Sequence, residues 1–125
     1  MSHVTVVATQ IDDKGAVKAA AQSLKIKFEE NVTANLGYGN KVRGDIVLTL
    51  QSGAQVALVL DKKTGIYQIH CDLYSGAIQR ELGKDFSKLK QMFSLKKVEI
   101  AARKKGYRAS KPTVKQDGSI QIHLW

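Results

Sequence analysis

Three histidines, one cysteine and a run of lysines are the side chains of this chain with the greatest scope for chemistry. His3, His70 and His123 each fall on the non-core phase of a segment that reads as a strand. Neighbouring strands could bring them together, and three imidazoles form a chemically sensible zinc site. None of the three sits in a local ligand motif, however, and single histidines on a wet sheet face are ordinarily just polar residues. Cys71 falls on the apolar phase of its segment, which suits a small buried residue better than a nucleophile. As the lone cysteine it makes no internal disulfide and no cysteine-type metal site. The chain has no Walker loop, no Rossmann glycine pattern, no nucleophile elbow and no paired-carboxylate arrangement. These absences point to a non-enzymatic protein with no metal and no cofactor.

The lysines carry a different message. From Lys84 to Lys115 there are eleven Lys and Arg against two acids, Asp85 and Glu99, and the rest of the chain holds nine of each sign. The formal charge of +9 is therefore confined to one segment. Such an imbalance speaks about partners rather than reactions. Lys88, Lys96, Lys97, Arg103, Lys104, Lys105, Arg108 and Lys111 are the candidate contacts to an anion, most simply nucleic acid. Phosphate neutralisation would supply affinity through counterion release, with Tyr38, Tyr107 or Trp125 available to stack on bases. No base-reading motif accompanies them, so no sequence specificity is expected. The competing reading is a lysine-rich helix face that is simply solvated.

A second candidate site is the stretch from Asn35 to Gly44, which holds three glycines and reads as the longest loop. Glycine lets backbone approach a ligand closely, and Tyr38, Lys41 and Arg43 add a stacking face and charge. This loop would suit a small phosphorylated ligand such as a nucleotide, against the plainer reading of a variable surface connection. A third class of function is a protein-interaction adaptor, using the sheet's exposed face or the basic ridge.

These residues need elements to hold them. Thr- and Val-rich alternation from His3 to Gln10 predicts a strand, and Asp12 or Asp13 then caps a first helix with Val17, Ala20, Ala21 and Leu24 on one stripe. Ile26 to Val32, Asp45 to Gln51, Ala54 to Asp61 and Ile66 to Tyr74 read as strands, the middle pair joined at Ser52-Gly53. Ser75 to Gly83 reads as a polar connection. Lys84 to Tyr107 is the expected long helix, with Asp85 near its positive end, Arg103 to Lys105 at its negative end and Gly106 as its left-handed stop. Lys88, Lys96, Arg103 and Lys104 would form its outward ridge. A hairpin around Asp117-Gly118 and a strand through Ile120, Ile122 and Leu124 complete the chain. The expected fold is α+β: one domain over 1–125, with an antiparallel sheet of five to seven strands and two helices packed on one face, ferredoxin-like in spirit. No apolar run reaches membrane-spanning length, the start lacks signal-peptide character, and cytoplasmic residence is expected.

Several short matches give a resemblance over nearly the whole chain: Met1-Ser2-His3, the helix after Asp12, Gly37-Tyr38 before a basic stretch, Asp45-Ile46-Val47, Tyr67 to Leu73, the helix ending in Ala102 with Gly106-Tyr107, and Asp117-Gly118-Ser119-Ile120. Together they resemble the hypothetical chloroplast open reading frame 35 family, also known as domain of unknown function 1257. Ser75-Gly76, where family members tend to have an aromatic, and the extra lysines of the long helix depart from it. The resemblance implies a place among plastid, cyanobacterial, bacterial and phage proteins. It implies no activity, and it suggests an accessory role beside an ATPase of the AAA type.

Overall fold

In the computed structural model the described residues are 5–7, 11–37, 39–73, 76–106, 113–114 and 120–121. Their elements are β1 (Thr5–Val7), α1 (Lys14–Ser23), β2 (Lys27–Gly37), β3 (Asn40–Thr49), β4 (Gln55–Asp61), β5 (Ile66–Cys71), α2 (Ala77–Leu82) and α3 (Ser87–Lys104), then the short β6 (Thr113–Val114) and β7 (Ile120–Gln121). The class is α+β with an open antiparallel sheet, as its alternating segments predict. Four full strands, fewer than the five to seven expected, make the body of the sheet in the order β5-β4-β3-β2, and three-residue β1 lies along the free side of β5. The pair β6 and β7 forms a separate two-stranded ladder.

Both long helices cover the same face. Asp13, not Asp12, caps α1, its Oδ1 accepting from the Ala16 N–H at 3.0 Å. Small residues then let the helix lie close: Ala16, Val17, Ala20 and Ala21 have no exposed surface. They share one core with Ile46, Leu48, Val56, Leu58, Ile69 and Cys71 of the sheet and with Leu89 and Phe93 of α3. The exit of α1 is a Schellman turn in which Lys25 takes the left-handed position (φ 58°) and Ile26 N–H donates to Ala21 C=O at 2.8 Å.

Two expectations fail between residues 75 and 87. The stretch read as a polar connection contains α2, whose Ile78 and Leu82 are buried one turn apart. Glu81 on its polar side accepts from Gln51 N–H at 2.6 Å and Ser52 Oγ at 2.9 Å, tying the β3–β4 turn to the helix. The long helix starts at Ser87 rather than Lys84, because Lys84–Phe86 forms a single tight turn with Asp85 and Phe86 both at positive φ. That turn swings Phe86 into the core, where only 3% of it remains exposed, and it removes Asp85 from the helix start. At the other end Gly106 does adopt the left-handed stop, with φ 81°; Tyr107 lies outside the described residues.

The larger correction concerns Asn35 to Gly44, which is a hairpin and not a loop. β2 and β3 stay paired to its tip through Thr33 opposite Arg43, Asn35 opposite Lys41 and Gly37 opposite Asn40. Midway the hairpin leaves the helix-covered face. Ile46 and Leu48 point into the main core, yet Val42 and Ala34 pack with Val47 and Ala57 in a second cluster on the opposite face. Three residues make this change of side possible. Asn31 takes φ 55°, Gly44 sits tightly against Val47 and Ala57, and Asp45 Oδ2 accepts from Leu60 N–H at 2.7 Å, where β3 separates from β4. A Cβ at Gly44 would stand 2.9 Å from Val47 Cγ2, 3.1 Å from Ile46 C=O and 3.2 Å from Ala57 Cβ. Gly44→Ala is therefore expected to destabilise the protein by about 1–3 kcal/mol, the usual cost of forcing extra volume into a packed site. Chemical denaturation of the two proteins side by side checks this, and equal midpoints would contradict the packing argument.

Candidate functional site

Candidate contacts to an anion gather on α3, whose sequence buries it on two sides. Leu89 and Phe93 enter the main core, while Leu95 and Ala102 are buried at 8% and 3% exposure on a side roughly 150° away around a helix of 3.6 residues per turn. Cations are left with the remaining arcs, so they do not form one ridge. By the same geometry Lys88, Lys96 and Arg103 fall on one side, and Lys90, Lys97 and Lys104 fall roughly a third of a turn away. Lys96 is half-buried and bonded to Glu99 at 3.2 Å, and Lys97 reaches Asp12 at 2.6 Å while lying 5.9 Å above the Phe93 ring. Lys88, Arg103, Lys104 and Lys105 are exposed, with no ion-pair partner among the described residues. Arg108 and Lys111 lie outside those residues, as do Tyr38 and Trp125.

Charges outside α3 are partly matched. Glu30 of β2 takes Lys14 at 2.8 Å and Lys18 at 3.3 Å, so two α1 cations share one carboxylate. Hydrogen bonding to these lysines holds the Glu30 carboxyl below the usual range and, in return, Glu30 raises Lys14. Each of the three side chains is more than a third exposed, and such pairs add little to stability.

Beside the hairpin tip lies a hollow of about 340 Å³ walled by Leu36, Gly37, Ala54 and Ile78. Its polar lining among the described residues is Asn35, Gln55 and Asp72, with no cation. Gln55 Oε1 already accepts from Asn35 N–H at 2.7 Å and its Nε2 donates to Thr49, while Asn35 Oδ1 accepts from Gly37 N–H. Lys41 and Arg43 are exposed on β3 and do not line the hollow. The two cations expected to serve a ligand loop thus face solvent from a strand.

His70 stands on β5 opposite Ala57 of β4 and Val6 of β1, on the face away from the helices. His3 and His123 lie outside the described residues, and among the described residues no three potential ligands are grouped to hold a metal ion. Cys71 is fully buried in the main core, where burial, with a smaller push from Asp72, drives its thiol pKa up to about 11. It is protonated at neutral pH and inert as a nucleophile.

An open antiparallel sheet with helices on one face, a basic long helix and a curled hairpin define a small α+β protein. The chain belongs to the family of proteins of unknown function DUF1257, whose model matches residues 20–123. No curated protein and no solved structure matches it. No helix among the described residues is long and apolar enough to cross a membrane.

His70 supplies a pH test of the sheet's second face. Its Nε2 is buried with no hydrogen-bond partner among the described residues, and burial lowers its pKa below the ordinary 6.5. The neutral ring is favoured in the folded chain, so protons bind the unfolded state first as pH falls through about 6.5. Stability that His70 supports at neutral pH is then lost progressively, until pH passes below the folded value. Urea titrations from pH 7.5 to 5 should show wild type losing more stability than His70→Gln across that window. Parallel curves would mean the ring is solvated.

Proposed function

We propose that this is a non-enzymatic binding protein whose basic helix α3 engages an anionic partner, most simply nucleic acid. The observation that carries the reading is the close of α3, where Arg103, Lys104 and Lys105 are exposed together without a carboxylate partner among the described residues. Arg108, Lys111 and Lys115 follow in sequence, so positive charge continues past the helix. Cations at a helix C-terminus also offset the backbone dipole, but that effect is satisfied within the last turn and does not call for a run of this length. Phosphates would be bound mainly by charge, which gives affinity without sequence preference.

A nucleotide-sequestering role has less support. The hollow at the hairpin tip is lined by a carboxylate and amides, whereas Lys41 and Arg43 project elsewhere. Placement in the cytoplasm is a finer part of the proposal and rests on composition, with a lone cysteine that suits a reducing compartment, while membership in the chloroplast open reading frame 35 group and service beside an AAA-type ATPase rest on the sequence resemblance alone.

Replacing Arg103, Lys104 and Lys105 together by Gln tests the reading. Single-stranded DNA should bind the wild type with a steep dependence on salt. The triple variant should bind more weakly, its slope of log K against log salt shallower by about 0.7 for each phosphate no longer neutralised. Fluorescence anisotropy at several salt concentrations measures both quantities, and an unchanged slope would remove the basis of the proposal.

A further inference from the structure

Between the entrance to α1 and the middle of α3 lies a groove of about 490 Å³. Its floor is apolar, made by Ile11, Phe93 and Val98, and its rim carries Lys90, Lys97 and Asp12. Val98 is 41% exposed, the one large hydrophobic side chain among the described residues that stands open to solvent. Ser94 and Ala101, both exposed, flank it on the same side of the helix. Lys90, Lys97 and Lys104 recur every seven residues, a spacing that drifts only about 20° per repeat and so makes a row along α3 beside this apolar strip.

We propose that this groove is a docking site for an acidic amphipathic helix of a protein partner. Three features argue for that occupant. A seven-residue cation row matches carboxylates at the same spacing on a second helix, and Val98 gives such a helix an apolar anchor beside them. Ser94 and Ala101 are small, so the two backbones can approach closely. Asp12 shows the kind of group the row accepts: its carboxylate already sits 2.6 Å from Lys97 Nζ, and both side chains are close to half exposed, at 42% and 47%. A partner's Glu or Asp can exchange with it. Nucleic acid fits this groove less well, because the Phe93 ring that would stack on a base is only 5% exposed and lies beneath Lys97. The inference uses Lys90 and Val98, on which the polyanion reading does not depend.

The test uses a fluorescently labelled synthetic helix with Leu and Glu at heptad positions, a scrambled peptide of the same composition, and single-stranded DNA. The amphipathic peptide should bind the full chain, and the scrambled one should bind about tenfold more weakly or worse, since its charge is equal but its apolar face is gone. Val98→Gln should weaken the amphipathic peptide by about tenfold, as expected for withdrawing one buried aliphatic side chain, while Val98→Ile restores binding. Asp12→Asn, which releases Lys97, should tighten it. DNA binding should be indifferent to Val98→Gln, whatever the Arg103, Lys104 and Lys105 variant does. No peptide binding, equal binding of the two peptides, an inert Val98→Gln or an Asp12→Asn without gain would each overturn the proposal.

Discussion

The close packing of β3 at Gly44 against Val47 and Ala57 is the constraint on which the rest of the sheet depends. A strand pair as long as β2 and β3 cannot lie flat beside the shorter β4 and β5 with its outer half unsupported. Turning that half across the opposite face covers Val47 and Ala57 with Ala34, Leu36 and Val42. The turn requires backbone to run where a side chain would collide, and glycine alone fits there without displacement. Asp45 completes the arrangement by giving Leu60 N–H the acceptor that β3 no longer supplies. With one face closed by its own hairpin, the other is free to receive both long helices.

Placement of α3 follows from that division. The alanine stripe of α1 leaves room for α3 alongside it, and the alternating inner faces of β3, β4 and β5 provide the floor. Apolar residues on two sides then hold α3, so its charges are divided between separate arcs. Lys97 is the junction between the two long helices: it covers Phe93 of α3 and bonds to Asp12 at the entrance of α1. Among the described residues, cations of α3 without an ion-pair partner stand at both of its ends, Lys88 and Lys90 near the start and Arg103 and Lys104 at the close.

Much of this architecture can be read in the sequence, and the exceptions have physical causes. Alternation in β4 and β5 and the small-residue stripe of α1 are direct signatures of a sheet with one helix-covered face. Those patterns depend on near neighbours in sequence. The hairpin tip is hidden because three glycines suggest a loop, although Val32, Ala34 and Leu36 alternate with Thr33 and Asn35 as a strand should. Helix α2 is hard to see since six residues are too few to show a period, and only the one-turn spacing of Ile78 and Leu82 betrays it. The expected ridge of Lys88, Lys96, Arg103 and Lys104 is interrupted for another reason, with Lys96 half-buried against Glu99 and Lys104 on a separate arc. Charge totals say nothing about facing, and a helix buried on two sides scatters its lysines. Pairings such as Lys97 with Asp12, 85 residues apart, depend on tertiary structure and leave no trace in local pattern.

β2 is the last strand of the sheet, eleven residues long, and its outer backbone faces no neighbour within that sheet. A straight apolar border of this length would invite other chains to add on indefinitely. Here Lys27 and Glu29 project along it and Asn31 breaks its line, while the bend carries the remainder out of any common plane. The curl that closes the molecule's second face also protects it from self-templated aggregation.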